Sequence, residues 1–111
     1  MMEQNPKDLG SKSVLGWGNR GWLEIINLVL LVCDQAQGTL KTHVMYKCNL
    51  NSKQVQQYLD FVVSRSLIEV MQDPHDPKRT IYKTADRGRK FMRSYNELAE
   101  IFSIHSEGLQ A

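Results

Sequence analysis

The segment that most constrains the fold is the short junction around Asn51, where one helix must end and another must begin. Asn51 is a residue type that caps helix N-termini, and Gln54, three positions later, is placed to complete a capping box. Leu50 and Val55 stand on either side at the spacing of a hydrophobic staple. The pattern predicts that a helix begins at about Ser52.

Apolar residues recur at the i, i+3, i+4 and i+7 positions of this helix, which predicts one buried face. They are Val55, Tyr58, Leu59 and Val62. We expect the helix to end near 65–66 and a shorter helix, over 42–48, to precede the junction. A short helix, a tight turn and a longer helix form a helix-turn-helix, whose second helix fits the major groove of DNA.

The flanking segments supply a core helix and a hairpin. Residues 22–33 are apolar at nearly every position, which is typical of a helix buried on most sides, and Gly38 is a plausible end signal for it. Two short strands are predicted at 67–71 and 80–83. The segment 73–77 between them contains two prolines, which suit an exposed turn and exclude a central strand.

A last helix is predicted to begin at Thr84, an N-cap residue type, and to run to His105. The predicted fold is therefore mostly α with a small β-hairpin wing, a winged helix-turn-helix in the order helix, helix, helix, strand, strand, helix. The expected organisation is a flexible N-terminal arm at 1–18, the winged helix-turn-helix domain at 19–84, a C-terminal helix for packing and dimerisation at 85–105, and a tail at 106–111.

Charge is unevenly distributed along the chain. Residues 39–93 carry eleven Lys or Arg against five Asp or Glu, a net +6. The remaining residues carry three against seven, a net −4, so the whole chain has a net charge of only +2. A basic middle with acidic flanks indicates a polyanionic partner for the predicted domain, and double-stranded DNA is the partner that its fold suggests.

Two sets of side chains are candidates for DNA contact. Glutamine pairs with adenine, and lysine donates to guanine or to phosphate. The predicted DNA-binding residues on the second helix of the motif are Ser52, Lys53, Gln54 and Gln57, and those on the hairpin and last helix are Lys78, Arg79, Lys83 and Arg87. An ordinary solvated face is the alternative for the helix. The basic run on the hairpin and last helix also includes Arg89, Lys90 and Arg93. The alternatives to phosphate contact there are pairing of Arg93 with Glu97 and simple solvation of Arg89. Phe61 is unsuited to a DNA-facing surface and is expected to pack beneath the hairpin.

The sequence resembles the archaeal winged-helix DNA-binding proteins, a family of small regulators and chromatin-type proteins, over about residues 20–103. The resemblance is carried by four stretches, which are KTHVMYKCNL at 41–50, QVQQYLD at 54–60, LIE at 67–69 and RTIYKTADRGRKF at 79–91. It implies a winged-helix fold and dimerisation through the last helix, which is short compared with the long coiled coils of some relatives. Ser66 stands where the family usually has glycine, which predicts a turn that is either strained or locally different, and the hairpin tip is unusually acidic.

The length of the last helix also favours a homodimer. At 1.5 Å per residue, the predicted helix spans about 33 Å, more than one small domain can cover. Gly88, Phe91, Met92 and Tyr95 are expected to pack on the domain itself. The predicted dimerisation residues are Leu98, Ala99, Ile101 and Phe102. The alternative is that the first helix covers this stripe within one chain.

Three functions fit these features. They are a sequence-specific transcriptional regulator, an architectural chromatin protein with little sequence preference, and a winged-helix protein-interaction module. Gln54, Gln57 and the modest net charge favour the regulator over the architectural protein. The basic hairpin argues against the interaction module, which has no need of one.

Other classes of function find little support. His43, Cys48, His75 and His105 do not have the spacing of zinc ligands, and no third group orients a Cys48–His43 pair for catalysis. We therefore expect no metal, no cofactor, no small-molecule effector and no enzymatic activity. No apolar run approaches the roughly 20 residues of a membrane span, and no secretory signal precedes the domain. These features predict a cytoplasmic, nucleoid-associated protein whose Cys33 and Cys48 are free thiols.

Overall fold

The computed structural model describes the backbone of residues 21–110 and the side chains of residues 21–102, so the predicted arm at 1–18 and the side chain of His105 lie outside the described residues. The elements in chain order are α1 (Trp22–Cys33), α2 (Lys41–Lys47), α3 (Ser52–Ser64), β1 (Ile68–Asp73), β2 (Asp76–Thr84) and α4 (Asp86–Gln110). This order confirms the predicted fold class. The last helix continues to Gln110, past the predicted end at His105.

Helix α2 ends in a turn that aims the chain directly into α3. Asn49 has a left-handed backbone, with φ of 55°. The Leu50 N–H bonds back to the Met45 carbonyl at 2.9 Å, and the Asn49 N–H bonds to the Tyr46 carbonyl at 3.2 Å. These two bonds form a Schellman motif with asparagine at the position that most often holds glycine. Only one residue then separates this motif from the first residue of α3.

The capping box predicted at the start of α3 is present. The Gln54 N–H donates to Asn51 Oδ1 at 2.8 Å, and the Asn51 N–H donates to Gln54 Oε1 at 3.0 Å. Two backbone donors that would otherwise lack partners at the helix start are thereby satisfied. The junction between the two helices is consequently determined by interactions among residues that are close in sequence.

One apolar core joins the first three helices to the base of the hairpin. The predicted stripe of α3 is buried, as is the face of α1 that meets it. The buried hydrophobic residues are Ile25, Ile26, Val29, Leu30, Cys33, Val44, Cys48, Leu50, Val55, Tyr58, Leu59, Val62, Leu67 and Ile68. Burial of this stripe leaves the opposite face of α3 directed away from the core.

The hairpin is longer than the predicted strands at 67–71 and 80–83. Its antiparallel register is regular from Ile68 opposite Thr84 to Gln72 opposite Thr80, and Asp73 then pairs with Asp76. Gln72 and Asp73 are adjacent in β1, but their partners in β2 are separated by three residues, 77–79. A proline is tolerated in such an irregular stretch because the regular ladder does not need its missing N–H.

The acidic tip of the hairpin has a local structural explanation. Asp73 Oδ1 accepts a hydrogen bond from the His75 N–H at 2.9 Å, and Asp76 Oδ1 accepts one from the Lys78 N–H at 3.2 Å. Both aspartates therefore stabilise the tight turn through Asx-type bonds to the backbone. Their charges lie beside the exposed Lys78 and Arg79.

The prediction that Thr84 caps the last helix is wrong. Thr84 is the last residue of β2 and is buried, and its hydroxyl donates to the Leu30 carbonyl near the end of α1 at 2.6 Å. Helix α4 begins at Asp86 instead. The Thr84 hydroxyl thus bonds the backbone of α1 and not the start of α4, because its position at the end of β2 directs the side chain into the core.

A second cross-connection joins the segment after α1 to the hairpin. Thr39 and Tyr82 exchange two backbone hydrogen bonds, each of 2.8 Å. Gly38 has φ of +71°, and a Cβ there would lie 2.4 Å from Ile81 Cγ2. Glycine is therefore required by both the backbone conformation and the close approach of β2. No helix among the described residues is long and apolar enough to cross a membrane.

Candidate nucleic-acid interface

The outward surface of α3 is a polar ridge opposite its buried stripe. Lys53, Gln57, Asp60 and Ser64 succeed one another at intervals of three or four residues and so share one face of the helix. Lys53 and Asp60 are exposed, and Gln57 is partly buried. Ser52 is exposed at the first helical position. This arrangement places three of the four predicted contact residues of α3 at its solvent-facing side or its N-terminus.

The fourth predicted residue, Gln54, has a structural role in addition to any contact with DNA. Its Oε1 accepts the Asn51 N–H in the capping box. A bidentate pair with adenine needs both the oxygen and the nitrogen of the amide, so such a contact requires the box to open. The capping box and the base contact, both predicted from the sequence, thus compete for the same amide group.

A polar network that sequence reasoning missed crosses from α2 to α3. Lys41 Nζ donates to Gln56 Oε1 at 2.8 Å, and Gln56 Nε2 donates to Asp60 Oδ1 at 2.8 Å. The i, i+4 spacing of Gln56 and Asp60 is visible in the sequence. The contribution of Lys41 depends on how α2 packs against α3 and has no local sequence signal.

The hairpin brings cations to the start of α2. An open cleft of about 390 Å³ is lined by Leu40, Lys41, Thr42, Lys78, Arg79, Thr80 and Tyr82. Lys78 and Arg79 belong to the irregular stretch of β2 and are exposed, and Arg79 lies 3.8 Å from Asp73. Three cationic and three hydroxyl-bearing residues thus converge between the hairpin and the helix-turn-helix, and such groups donate hydrogen bonds to phosphate oxygens. Lys83, in the regular part of β2, is less exposed.

Arg87 has an internal partner that the sequence did not indicate. Its Nε donates to the carbonyl of Arg65, the C-cap residue directly after α3, at 2.9 Å. A cation is favoured there by the helix dipole. The assignment of Arg87 to phosphate stays a prediction.

Arg89 joins α1 to the start of α4. It is 2.9 Å from Asp34, it bonds Asp86 in the same helix, and it donates to the Thr84 carbonyl at 3.2 Å. The bond from Arg89 lowers the pKa of the Asp86 carboxyl, and Asp86 and then Asp34 raise the pKa of the guanidinium. The basic run that follows the hairpin therefore contains at least two arginines held by the protein itself.

Phe61 does not lie on the ridge of α3. It is partly buried and packs against the core, and the Arg65 guanidinium lies 5.0 Å from its ring centroid. A cation over an aromatic face is attracted by the ring quadrupole. The ridge consequently remains polar along its length.

Helix α4 changes character along its axis. Gly88 is buried, and a Cβ there would lie 2.3 Å from the Leu67 carbonyl oxygen. Phe91 packs against the core and stacks on Tyr95, with ring centroids 6.3 Å apart. Beyond Tyr95 the apolar residues are exposed, with 43% for Leu98, 66% for Ile101 and 43% for Phe102, whereas Ala99 is partly buried.

The buried cysteines and the acidic groups offer little for catalysis or metal binding. Burial, together with the nearby Cys48, raises the pKa of Cys33 to about 12, so its thiol is not ionised at neutral pH. Both cysteines are reduced and buried. Among the residues whose side chains are described, no group of three His, Cys, Asp or Glu could hold a metal ion.

Comparison with known proteins agrees with this architecture. A family model described as winged helix-turn-helix matches residues 19–103. No curated protein sequence matches the chain.

Three solved structures illustrate the similarity of fold. The DNA-binding protein Sso10a-2 from Sulfolobus solfataricus is 23% identical with a TM-score of 0.68, over 82% of this chain and 90% of that one. A MarR-family transcriptional regulator from Rhodococcus sp. RHA1 is 21% identical with a TM-score of 0.63, over 82% and 64%. A MepR variant from S. aureus bound to an oligodeoxyribonucleotide is 16% identical with a TM-score of 0.62, over 77% and 61%. The chain thus spans less than two thirds of the latter two proteins.

Proposed function

Because the chain belongs to the winged helix-turn-helix family, we propose that it is a sequence-specific, duplex-DNA-binding transcriptional regulator that acts as a homodimer. In this proposal α3 enters the major groove and the hairpin lies along the neighbouring backbone. The observation that carries the proposal is the cleft where Lys41, Lys78 and Arg79 converge, which is joined to α3 by the bond from Lys41 to Gln56. The role is binding rather than catalysis, and its place is the nucleoid of the cytoplasm.

Base contacts and phosphate contacts fall on different elements. We assign base edges to Lys53, Gln54 and Gln57 and place Ser52 at the groove entrance. We assign phosphates to Lys78, Arg79, Lys83 and Arg87. A bidentate adenine contact by Gln54 requires its capping bond to open.

Selection of bound sequences from a random duplex pool, followed by titration of the selected duplex, tests this division. Wild type should enrich a palindrome, because a two-fold dimer presents two α3 helices. Gln57→Ala should reduce discrimination between sequences by about 1–3 kcal/mol. Arg79→Ala should weaken binding to all duplexes alike. Binding without enrichment of any sequence would instead indicate an architectural chromatin protein. If Arg79→Ala reduced discrimination and Gln57→Ala weakened binding to all duplexes alike, the hairpin would contact the bases and α3 the backbone.

The exposed end of α4 supports the homodimer. Leu98, Ile101 and Phe102 each expose a large part of an apolar side chain to water, and burying the exposed part of each would contribute roughly 0.6–2 kcal/mol. The same stripe on a second chain, together with Ala99, provides a self-complementary two-fold contact.

Sedimentation of the wild type and of a Leu98→Glu, Phe102→Glu double variant tests the dimer. The wild type should sediment as a dimer, and the double variant as a folded monomer with weaker DNA binding. Val70→Glu is the matched control, since Val70 is an exposed apolar residue of β1, away from α4. A wild type that stays monomeric at high micromolar concentration would refute the dimer.

A further inference from the structure

Asp60 is unusual for a residue on a DNA-facing helix. It is the only acidic residue of α3, and it is exposed on the same ridge as Lys53 and Gln57. A carboxylate that approaches the phosphate backbone is repelled by it, so an acidic side chain there weakens binding unless it meets a hydrogen-bond donor. Asp60 Oδ1 already accepts from Gln56, and the bases of the major groove can offer a donor to its second oxygen.

The Asp60 carboxylate is held in place by a chain of bonds whose direction is fixed. Lys41 Nζ can only donate, so the oxygen of the Gln56 amide turns toward it at 2.8 Å. The amide nitrogen of Gln56 must then face the other way, and it donates to Asp60 Oδ1 at 2.8 Å. An ionised carboxylate can only accept, so neither bond can reverse. Lys41 on α2 thereby orients an acceptor on α3.

We propose that Asp60 selects a cytosine in the DNA half-site, with Gln56 as the residue that positions it. This inference rests on the proposed DNA-binding function. In the major groove cytosine presents its N4 amino donor, whereas guanine and thymine present acceptors. Adenine presents an amino donor beside the N7 acceptor, which repels a carboxylate. Gln56 bonds Oδ1, and the second oxygen, Oδ2, accepts from the cytosine amino group.

The geometry also gives the spacing of this contact. Lys53 and Asp60 are seven residues apart on one ridge, or about 10 Å along the helix axis. This distance corresponds to about three base-pair steps. With α3 parallel to the DNA axis, the selected cytosine lies about three pairs from the base that Lys53 contacts, and a helix inclined to that axis shortens the separation.

Selection from a random duplex pool with wild type and variants tests the proposal. Wild type should enrich cytosine at one position of each half-site, favoured about 5- to 150-fold over other bases. Asp60→Asn should move that position to adenine and leave the others unchanged, because asparagine pairs with adenine. Glu69→Gln removes an equal charge from the exposed edge of β1 and should keep the cytosine. Gln56→Ala should keep the cytosine but with lower discrimination, at an unchanged thermal midpoint.

An Asp60→Asn protein with the wild-type base preference would overturn the proposal, even if its affinity rose for every duplex. A Gln56→Ala protein that prefers cytosine as strongly as wild type does would also overturn the proposal. Failure of the proposed function is visible separately, because wild type would then bind no duplex or enrich no sequence. Circular dichroism of each variant establishes that the exposed substitutions leave the fold intact.

Discussion

Replacing Thr84 with valine should destabilise the fold by about 1–3 kcal/mol, because the substitution removes the hydroxyl that satisfies the Leu30 carbonyl. The carbonyls of Leu31, Val32 and Cys33, in the last turn of α1, accept bonds from residues that directly follow the helix. The Leu30 carbonyl instead receives a bond from 54 positions away, at 2.6 Å. Valine fills the space of threonine, so the loss reflects the unpaired carbonyl rather than a cavity.

Urea and thermal unfolding, followed by circular dichroism, measure this effect. A loss of about 2 kcal/mol lowers the thermal midpoint of a domain of this size by roughly 8–16 °C. The dependence of the unfolding free energy on urea should not change, since the surface exposed on unfolding is the same. Thr80→Val, on the same strand but partly exposed, should stay within about 0.5 kcal/mol of wild type. A Thr84→Val protein that unfolds at the wild-type midpoint would refute the role of this bond.

Three further perturbations follow from the structure. Ser66→Gly should stabilise the fold by about 0.5–1 kcal/mol in urea unfolding, because Ser66 has a left-handed backbone with φ of 62°; a destabilised variant would contradict this. Gly88→Ala should destabilise by about 1–3 kcal/mol despite the better helix propensity of alanine, because the added Cβ meets the Leu67 carbonyl; wild-type stability would show that α4 can shift. Burial raises the pKa of Cys33 to about 12, so only the unfolded chain ionises this thiol as the pH rises above about 8.5. The free energy of unfolding should therefore fall with pH above that value, and it should fall less steeply in Cys33→Ala. Equal pH slopes in the two proteins would contradict the burial argument.

The sequence was sufficient where the determining contacts are local. The start of α3 depends on Asn51 and Gln54, three residues apart, and both bonds of the predicted box are present. The buried stripe of α3 follows from helical periodicity alone. The strain predicted at Ser66 is confirmed by its positive φ, in a Schellman motif in which the Leu67 N–H bonds the Val62 carbonyl at 2.9 Å.

Prediction failed where a side chain finds its partner far along the chain. Thr84 has the composition of a helix cap, and only the packing of β2 against α1 shows that its hydroxyl bonds Leu30. Arg87 likewise bonds the end of α3 across 22 positions. Pro77 shortened the predicted strand because a regular ladder excludes proline, whereas the observed hairpin places it in an irregular stretch.

In the candidate interface, too, the features set by local sequence could be predicted and those set by long-range packing could not. The α3 ridge could be predicted because helical periodicity sorts its polar residues onto one side. The convergence of Lys41 with Lys78 and Arg79 could not, since it depends on how the hairpin folds back beside α2. The bond from Lys41 to Gln56 spans 15 positions and has the same origin.

The most direct test of DNA binding by this surface is a titration of a labelled duplex with the full chain at several salt concentrations. The logarithm of the affinity should fall linearly with the logarithm of the salt concentration, with a slope of about −0.9 for each phosphate neutralised. Arg79→Ala should flatten the slope by about one unit. Arg89→Gln, which removes a cation already paired with Asp34 and Asp86, should leave the slope unchanged. No binding even at the lowest salt, or a slope that Arg79→Ala does not alter, would contradict the account.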